Sequence, residues 1–162
     1  MKTNNCALKK GYLSAALIAL LAMNASAATI FDNSTTDLLT RLDAANREIG
    51  DQIVLAGTER FLSQFAFEYY GLNSANPLAF AGANVEARVR FYENNGPGLP
   101  GEEAPGTSFY DSGWFSVGTP TERNTFVFTA GSDFPSAGLF IPVNEMTWSV
   151  QFQGLGATDQ LG

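Results

Sequence analysis

VEARVRFY, residues Val85 to Tyr92, is the stretch that decides the fold class. Val85, Ala87, Val89 and Phe91 alternate with Glu86, Arg88, Arg90 and Tyr92. Successive strand side chains point to opposite faces of a sheet, so a period of two describes a strand with one buried face and one wet face. A helix would scatter the same four apolar residues around its circumference.

The period recurs on both sides. Met146, Trp148, Val150 and Phe152 alternate with Thr147, Ser149, Gln151 and Gln153, and Trp148 reads as a core residue. Asn124 to Thr129 sets Phe126 and Phe128 against Val127. Arg60 to Tyr70 puts Phe61, Phe65, Phe67 and Tyr69 on one face, with Gln64 and Glu68 on the other. Gln52 to Leu55 is a brief strand closed by Ala56-Gly57. Phe109 to Val117 is broken at Ser112-Gly113, the mark of a bulge or bend, and Pro142 demotes Leu139 to Val143 to an edge or a strand end. About seven short strands between Gly, Pro and Asn turns predict an all-β fold, an antiparallel β-sandwich or jelly roll.

Three stretches lie outside that pattern. Thr36 to Ile49 spaces Leu38, Leu39, Leu42 and Ala45 as a helix does, with Ser34, Thr35 or Thr36 as N-cap. It reads either as one short helix or as an irregular segment crossing the sheet. ENNGPGLPGEEAPG, Glu93 to Gly106, is one long loop, extended and too rich in Gly and Pro to be regular. Residues 154–162 carry no strand signal, and nothing in them closes a sandwich. The reading is therefore one domain over residues 28–162, incomplete at its C-terminus.

Residues 1–27 read as a cleaved signal peptide. Lys2, Lys9 and Lys10 form the positive region, Leu13 to Met23 the apolar core, and Ala25 and Ala27 the small residues of a signal-peptidase site before Ala28. The apolar run is shorter than the roughly 20 residues of a spanning helix. Cys6 precedes that run, so it is not a lipidated cysteine. The destination is the outside or the surface of a bacterial cell, with contact to the membrane only through an anchor that these residues do not contain.

Cleavage removes every lysine and the single cysteine. The 135 residues that remain (162 − 27) carry six arginines against all 16 acidic residues, a formal charge of −10 (6 − 16). Such a surface repels phosphate backbones and anionic lipid, which argues against nucleic acid as a partner. Without Cys or His there is no disulfide, no thiolate nucleophile, no Ser-His-Asp triad and no His-ligated metal. The chain is long enough to bury a core without such staples, and 13 Phe, 5 Tyr and 2 Trp, all but Tyr12 within residues 28–162, supply the bulk.

Chemistry that needs neither Cys nor His remains open. A glycan hydrolase or lyase needs only two carboxylates, and Glu68 and Glu86 fall on polar faces of strands read as adjacent, with Asp111 near in order. The plainer reading is a solvated sheet face whose acids find arginine partners. Calcium wants only oxygen, and Glu102, Glu103, Asp111 and Asp133 are its donors if any, although no EF-hand loop is present. No other cofactor is expected. Tyr70, Tyr92 and Trp114 are the aromatic residues in position to stack on a sugar ring, against the alternative of a second core layer. Asn33-Ser34-Thr35 matches a glycosylation sequon, read here as chance.

Three stretches carry a family resemblance: EIGDQIVLAGTERFLSQFAFEYYG (Glu48 to Gly71), VRFYENNGPGLPGEEAPGTSFYDSGWFSV (Val89 to Val117) and MTWSVQFQGL (Met146 to Leu155). The chain resembles exported β-sandwich proteins of environmental bacteria that end in a PEP-CTERM sorting signal. The resemblance implies surface attachment through a Pro-Glu-Pro motif, a spanning helix and a basic tail. None of these three is in the sequence, which fits truncation ahead of them. The expected function is a non-enzymatic structural or adhesive module of the cell surface or extracellular matrix, with other surface proteins or extracellular polysaccharide as partners. A carbohydrate-binding module is the alternative, and a carboxylate-only glycan enzyme the second alternative.

Overall fold

The period-two stretches become antiparallel ladders in a computed structural model, which describes residues 28–34, 47–76, 84–100, 102–119 and 122–161. The strands in chain order are β1 (Glu48–Val54), β2 (Phe61–Leu62), β3 (Gln64–Tyr69), β4 (Gly71–Asn73), β5 (Val85–Glu93), β6 (Ser108–Asp111), β7 (Phe115–Gly118), β8 (Asn124–Thr129), β9 (Leu139–Phe140), β10 (Glu145–Gln153) and β11 (Asp159–Leu161). The fold is all-β, with no helix among the described residues. Residues 1–27, read as a signal peptide with Ala25 and Ala27 at its cleavage site, lie outside them.

Five strands form the main sheet, in the order β1-β10-β5-β6, with β7 also pairing β5. Its register places Ile49 beside Val150 and Val150 beside Val89, so the apolar phases of three strands coincide. Val85, Ala87, Val89 and Phe91 are fully buried.

The other layer is built on one long segment. Its successive strands β2, β3 and β4 pair with β9, β8 and β11 respectively. Phe65 and Phe67 stand beside Phe128 and Phe126 in the β3–β8 ladder. Their rings reach across to the main sheet: Phe65 lies edge-on to Phe91 at 5.0 Å and to Trp148 at 5.4 Å, and Tyr69 meets Phe152 at 6.1 Å. Two antiparallel layers enclosing an aromatic core is the architecture of a β-sandwich, as the alternation predicts.

Four expectations are revised. Phe61 is 60% exposed and packs on Phe140, not on the core. Alternation carries only through an unbroken pleat, and pairing breaks at Ser63, so β2 does not inherit the phase of β3. Glu48 and Ile49, the last residues of the expected helix, belong to strand β1, whereas 35–46 lie outside the described residues. The Gly/Pro loop after Glu93 is folded back, with Gly96 N–H donating to the Ala104 carbonyl and Glu93 N–H to the Thr107 carbonyl, both at 2.9 Å. Gly96 permits it: a Cβ there would overlap the Pro105 carbonyl oxygen.

The fourth revision concerns residues 159–161, which pair with β4 and bury Leu161 completely. Asp159, only 3% exposed, accepts hydrogen bonds from Asn73 Nδ2 at 2.8 Å and Gly156 N–H at 2.7 Å. A buried carboxylate needs such donors, and it pins this corner of the sandwich shut. Three residues are too few to show a period, which is why the sequence does not announce this strand.

The packing makes a ranked prediction. Phe91→Ala removes a fully buried ring and lowers the unfolding free energy by about 3–5 kcal/mol. Phe61→Ala removes one exposed ring pair and costs about 1 kcal/mol or less. Urea titrations of the two variants measure both, and the reverse order would refute the assigned faces.

Candidate functional site

The side chains that β5 and β10 turn away from the core meet in register. Arg88 stands beside Gln151 and Gln151 beside Glu48; Arg90 stands beside Ser149 and Asp111, and Ser149 beside Gly50. Gly50 and Ser149 are the small residues in the middle of this face, and Ser149 is buried. Glu48 reaches in from β1: its Oε2 accepts from Ser149 Oγ at 2.8 Å and from the Tyr92 hydroxyl at 2.7 Å, while its Oε1 is ion-paired with Arg90 Nη1. Arg90 also donates to Gln151 Oε1 and to the Tyr92 oxygen, each at 3.0 Å. One guanidinium thereby ties β1, β5 and β10 together.

On the other flank Asp111 of β6 receives Arg88 through both carboxylate oxygens, with Nε to Oδ1 at 2.8 Å and an ion pair from Nη2 to Oδ2. Arg90 Nε is 3.7 Å from the same Oδ2. The chain then breaks, as Ser112-Gly113 predicts. Ser112 N–H donates to the Val89 carbonyl at 3.0 Å, and Val89 N–H donates to Ser112 Oγ at 2.9 Å. Gly113 takes the left-handed conformation at φ +65° and gives its N–H to Asp111 Oδ1 at 2.9 Å. Trp114 is thus swung onto the outer face, 36% exposed, with the Arg88 guanidinium 5.9 Å from its ring centre. That distance is within the range of a cation–π contact.

Two of the three aromatic residues singled out in the sequence, Tyr92 and Trp114, therefore share one face. Tyr70 does not: it sits between β3 and β4 in the facing layer, half-buried and with partners of its own. The carboxylates separate as well. Glu68 lies on β3 with Arg123, Nε to Oε2 at 2.8 Å, whereas Glu86 lies on β5 with Gln153. β3 and β5 belong to different sheets, so the expected neighbouring pair is not formed. The calcium donors are dispersed too. Asp111 is taken by arginine, Asp133 Oδ2 accepts the Thr129 N–H at 2.8 Å, and no cluster of three acidic residues occurs among the described residues.

Electrostatics fixes the protonation of the best-placed acid. The hydrogen bonds from Arg88, helped by Gly113 N–H and the arginine charges and opposed by burial, bring the Asp111 carboxyl down to about 2. It is an anion at neutral pH and has no proton to give a leaving group. Tyr110, next to it in sequence, points inward against Phe91 and Phe134; burial, with the charges of Asp133 and Asp111, pushes its hydroxyl up to about 12. A cavity of about 880 Å³ lies on the core side of the sheet, where Ala28–Ser34 face Ile53, Phe65, Phe91 and Trp148. It has no basic residue in its lining.

Sequence reasoning misses Glu48, Arg88, Arg90, Ser149 and Gln151 as members of one group. The outward phase of β5 and β10 holds four of them, but their partnership depends on register across three strands. Glu48 is hidden because its stretch also fits a helix.

A lowered carboxyl pKa stabilises the fold above the unfolded-state value and ceases to do so as pH falls through the folded-state value. The stability difference between the native chain and Asp111→Asn is therefore full at pH 6 and vanishes between about pH 4 and 2. Urea titrations across that range check it, and a difference that is constant with pH would exclude the Arg88–Asp111 assignment.

No protein-family model, no curated protein and no solved structure matches this chain.

Proposed function

We propose that this chain is an exported, non-enzymatic module of the bacterial cell surface or extracellular matrix, acting through the outer face of its five-stranded sheet. The observation that carries the reading is the state of that face. Glu48 and Asp111 are each ion-paired with arginine, and Tyr92, Ser149 and Gln151 complete the same network. Such carboxylates serve as fixed anions that stiffen a surface. Asp111, brought down to about 2, has no proton to give, and both carboxylates already accept hydrogen bonds. A rigid, open face suits adhesion or assembly with other surface components. Export rests on the leader at residues 1–27, and surface attachment rests on the PEP-CTERM resemblance.

A second reading, a carbohydrate-binding module, is favoured by one specific feature. Trp114 is a large aromatic residue, 36% exposed on a polar face with the Arg88 guanidinium over one side of its ring, and an aromatic face beside hydrogen-bonding groups suits a sugar with its apolar C–H face and polar rim.

The compartment is testable directly. Expressed with residues 1–162 in a bacterial host with an outer membrane, the chain is expected in the periplasm or medium with an intact mass that begins at Ala28. A cytoplasmic product that retains its leader would sink the proposal.

A further inference from the structure

We infer that the Trp114 corner of the outer face is a binding site for a neutral polysaccharide, with the indole side turned away from Arg88 as stacking platform and the Arg88–Asp111 pair as its hydrogen-bonding edge. This rests on the carbohydrate-binding reading above and adds the subsite and the ligand class.

The platform is held in place beforehand. Two hydrogen bonds between Val89 and Ser112 and a third from Gly113 to Asp111 fix the break in the strand. A Cβ at Gly113 would have open space around it, so the glycine is required by backbone conformation and not by crowding. The sequence therefore spends a left-handed glycine on turning this one side chain outward. A pinned aromatic ring loses little freedom when a ligand stacks on it.

The edge supplies both hydrogen-bonding senses. Arg88 uses Nε and Nη2 on Asp111, and its Nη1 has no hydrogen-bond partner among the described residues. Asp111 oxygens keep acceptor capacity beyond the Arg88 and Gly113 bonds. A free donor beside a free acceptor, next to an aromatic face, matches two neighbouring hydroxyl groups of a pyranose ring. Arg88 and Tyr92 lie four residues apart on the same face of β5, roughly 13 Å, so a saccharide chain has room to lie along the strand.

Charge selects the class. Among the described residues, Glu48, Glu86, Asp111 and Glu145 stand on this face against Arg88 and Arg90, and both arginines are already ion-paired. With the mature chain also strongly acidic, a uronate or sulfated polymer is repelled while a neutral one is not.

Native affinity gels of the secreted chain, cast with laminarin, hydroxyethylcellulose, xyloglucan or alginate, test this. Expected is retardation by at least one of the three neutral polymers and none by alginate. Trp114→Ala should weaken that retardation at least tenfold, Trp114→Phe should keep it within a few-fold, and Arg88→Met should weaken it several-fold, with thermal midpoints recorded for each variant. If Trp114→Ala unfolds, the Phe and Met variants carry the comparison. Retardation by alginate alone, lost in the Trp114 variant, overturns the neutral class and leaves carbohydrate binding standing. Retardation indifferent to both Trp114 and Arg88 overturns the subsite. No retardation by any of the four overturns the subsite and the carbohydrate-binding reading together.

Discussion

Phe65 standing edge-on to Phe91 is the contact on which the rest of the molecule depends. Phe91 is the innermost bulk of β5, the strand that β10, β6 and β7 all pair with. Phe65 comes from the facing layer, whose own ladders are only two strands wide. An isolated pair of strands is marginal in water, so β3 and β8 persist because their rings sink into the main sheet. Phe126 and Phe128 extend the contact to Phe115 of β7, with ring centres at 4.4 and 5.4 Å. The sequence has a single cysteine, so no disulfide within the chain assists, and burial of aromatic surface must hold the layers together.

The outer face follows from the same strand. Once Val85, Ala87, Val89 and Phe91 are committed inward, Arg88, Arg90 and Tyr92 have to point outward, and the register fixes who their neighbours are. Exposed ion pairs are individually worth little, typically below about 1 kcal/mol. Their arrangement here has a different consequence. Arg90 binds groups on β1 and β10 and approaches β6, so a slip of one residue between any two of these strands would break several bonds at once. The network specifies register more than it adds stability. It also holds β1, an edge strand, through Glu48 at its first position.

Much of this was legible in the chain. The alternation in Val85–Tyr92, Asn124–Thr129 and Met146–Phe152 correctly separates inward from outward positions, because each strand is continuous, although Ser149 on the outward phase is buried with its hydroxyl on Glu48 and Trp148 on the inward phase is only half-buried. The Ser112-Gly113 interruption correctly marks a bend and so points to Trp114. What failed did so where local pattern and tertiary pairing part company. Phe61 keeps the phase of Phe65 in sequence but loses it at Ser63. Asp159–Leu161 is a strand only because β4 offers an edge and Asn73 offers its amide to Asp159. Tyr70 and Glu68 share the polar phase of Tyr92 and Glu86, yet a phase says nothing about which layer a strand joins.

That last failure explains why the candidate site could not be assembled from sequence. A period of two gives each strand a front and a back, but the back of one layer and the back of the other face opposite sides of the molecule. Glu68 and Glu86 point away from each other although both are read correctly as outward. Glu48, Arg90 and Asp111 converge although β1 and β6 are not paired: β10 and β5 lie between them, and the long Arg90 side chain spans the gap. Gly50 is constrained from its own side, because a Cβ there would overlap the Trp148 carbonyl oxygen of the neighbouring strand. The close approach of β1 to β10 thus depends on the missing side chain at Gly50. The polar face is a property of four strands in register, and the approach of the first two is set by that glycine.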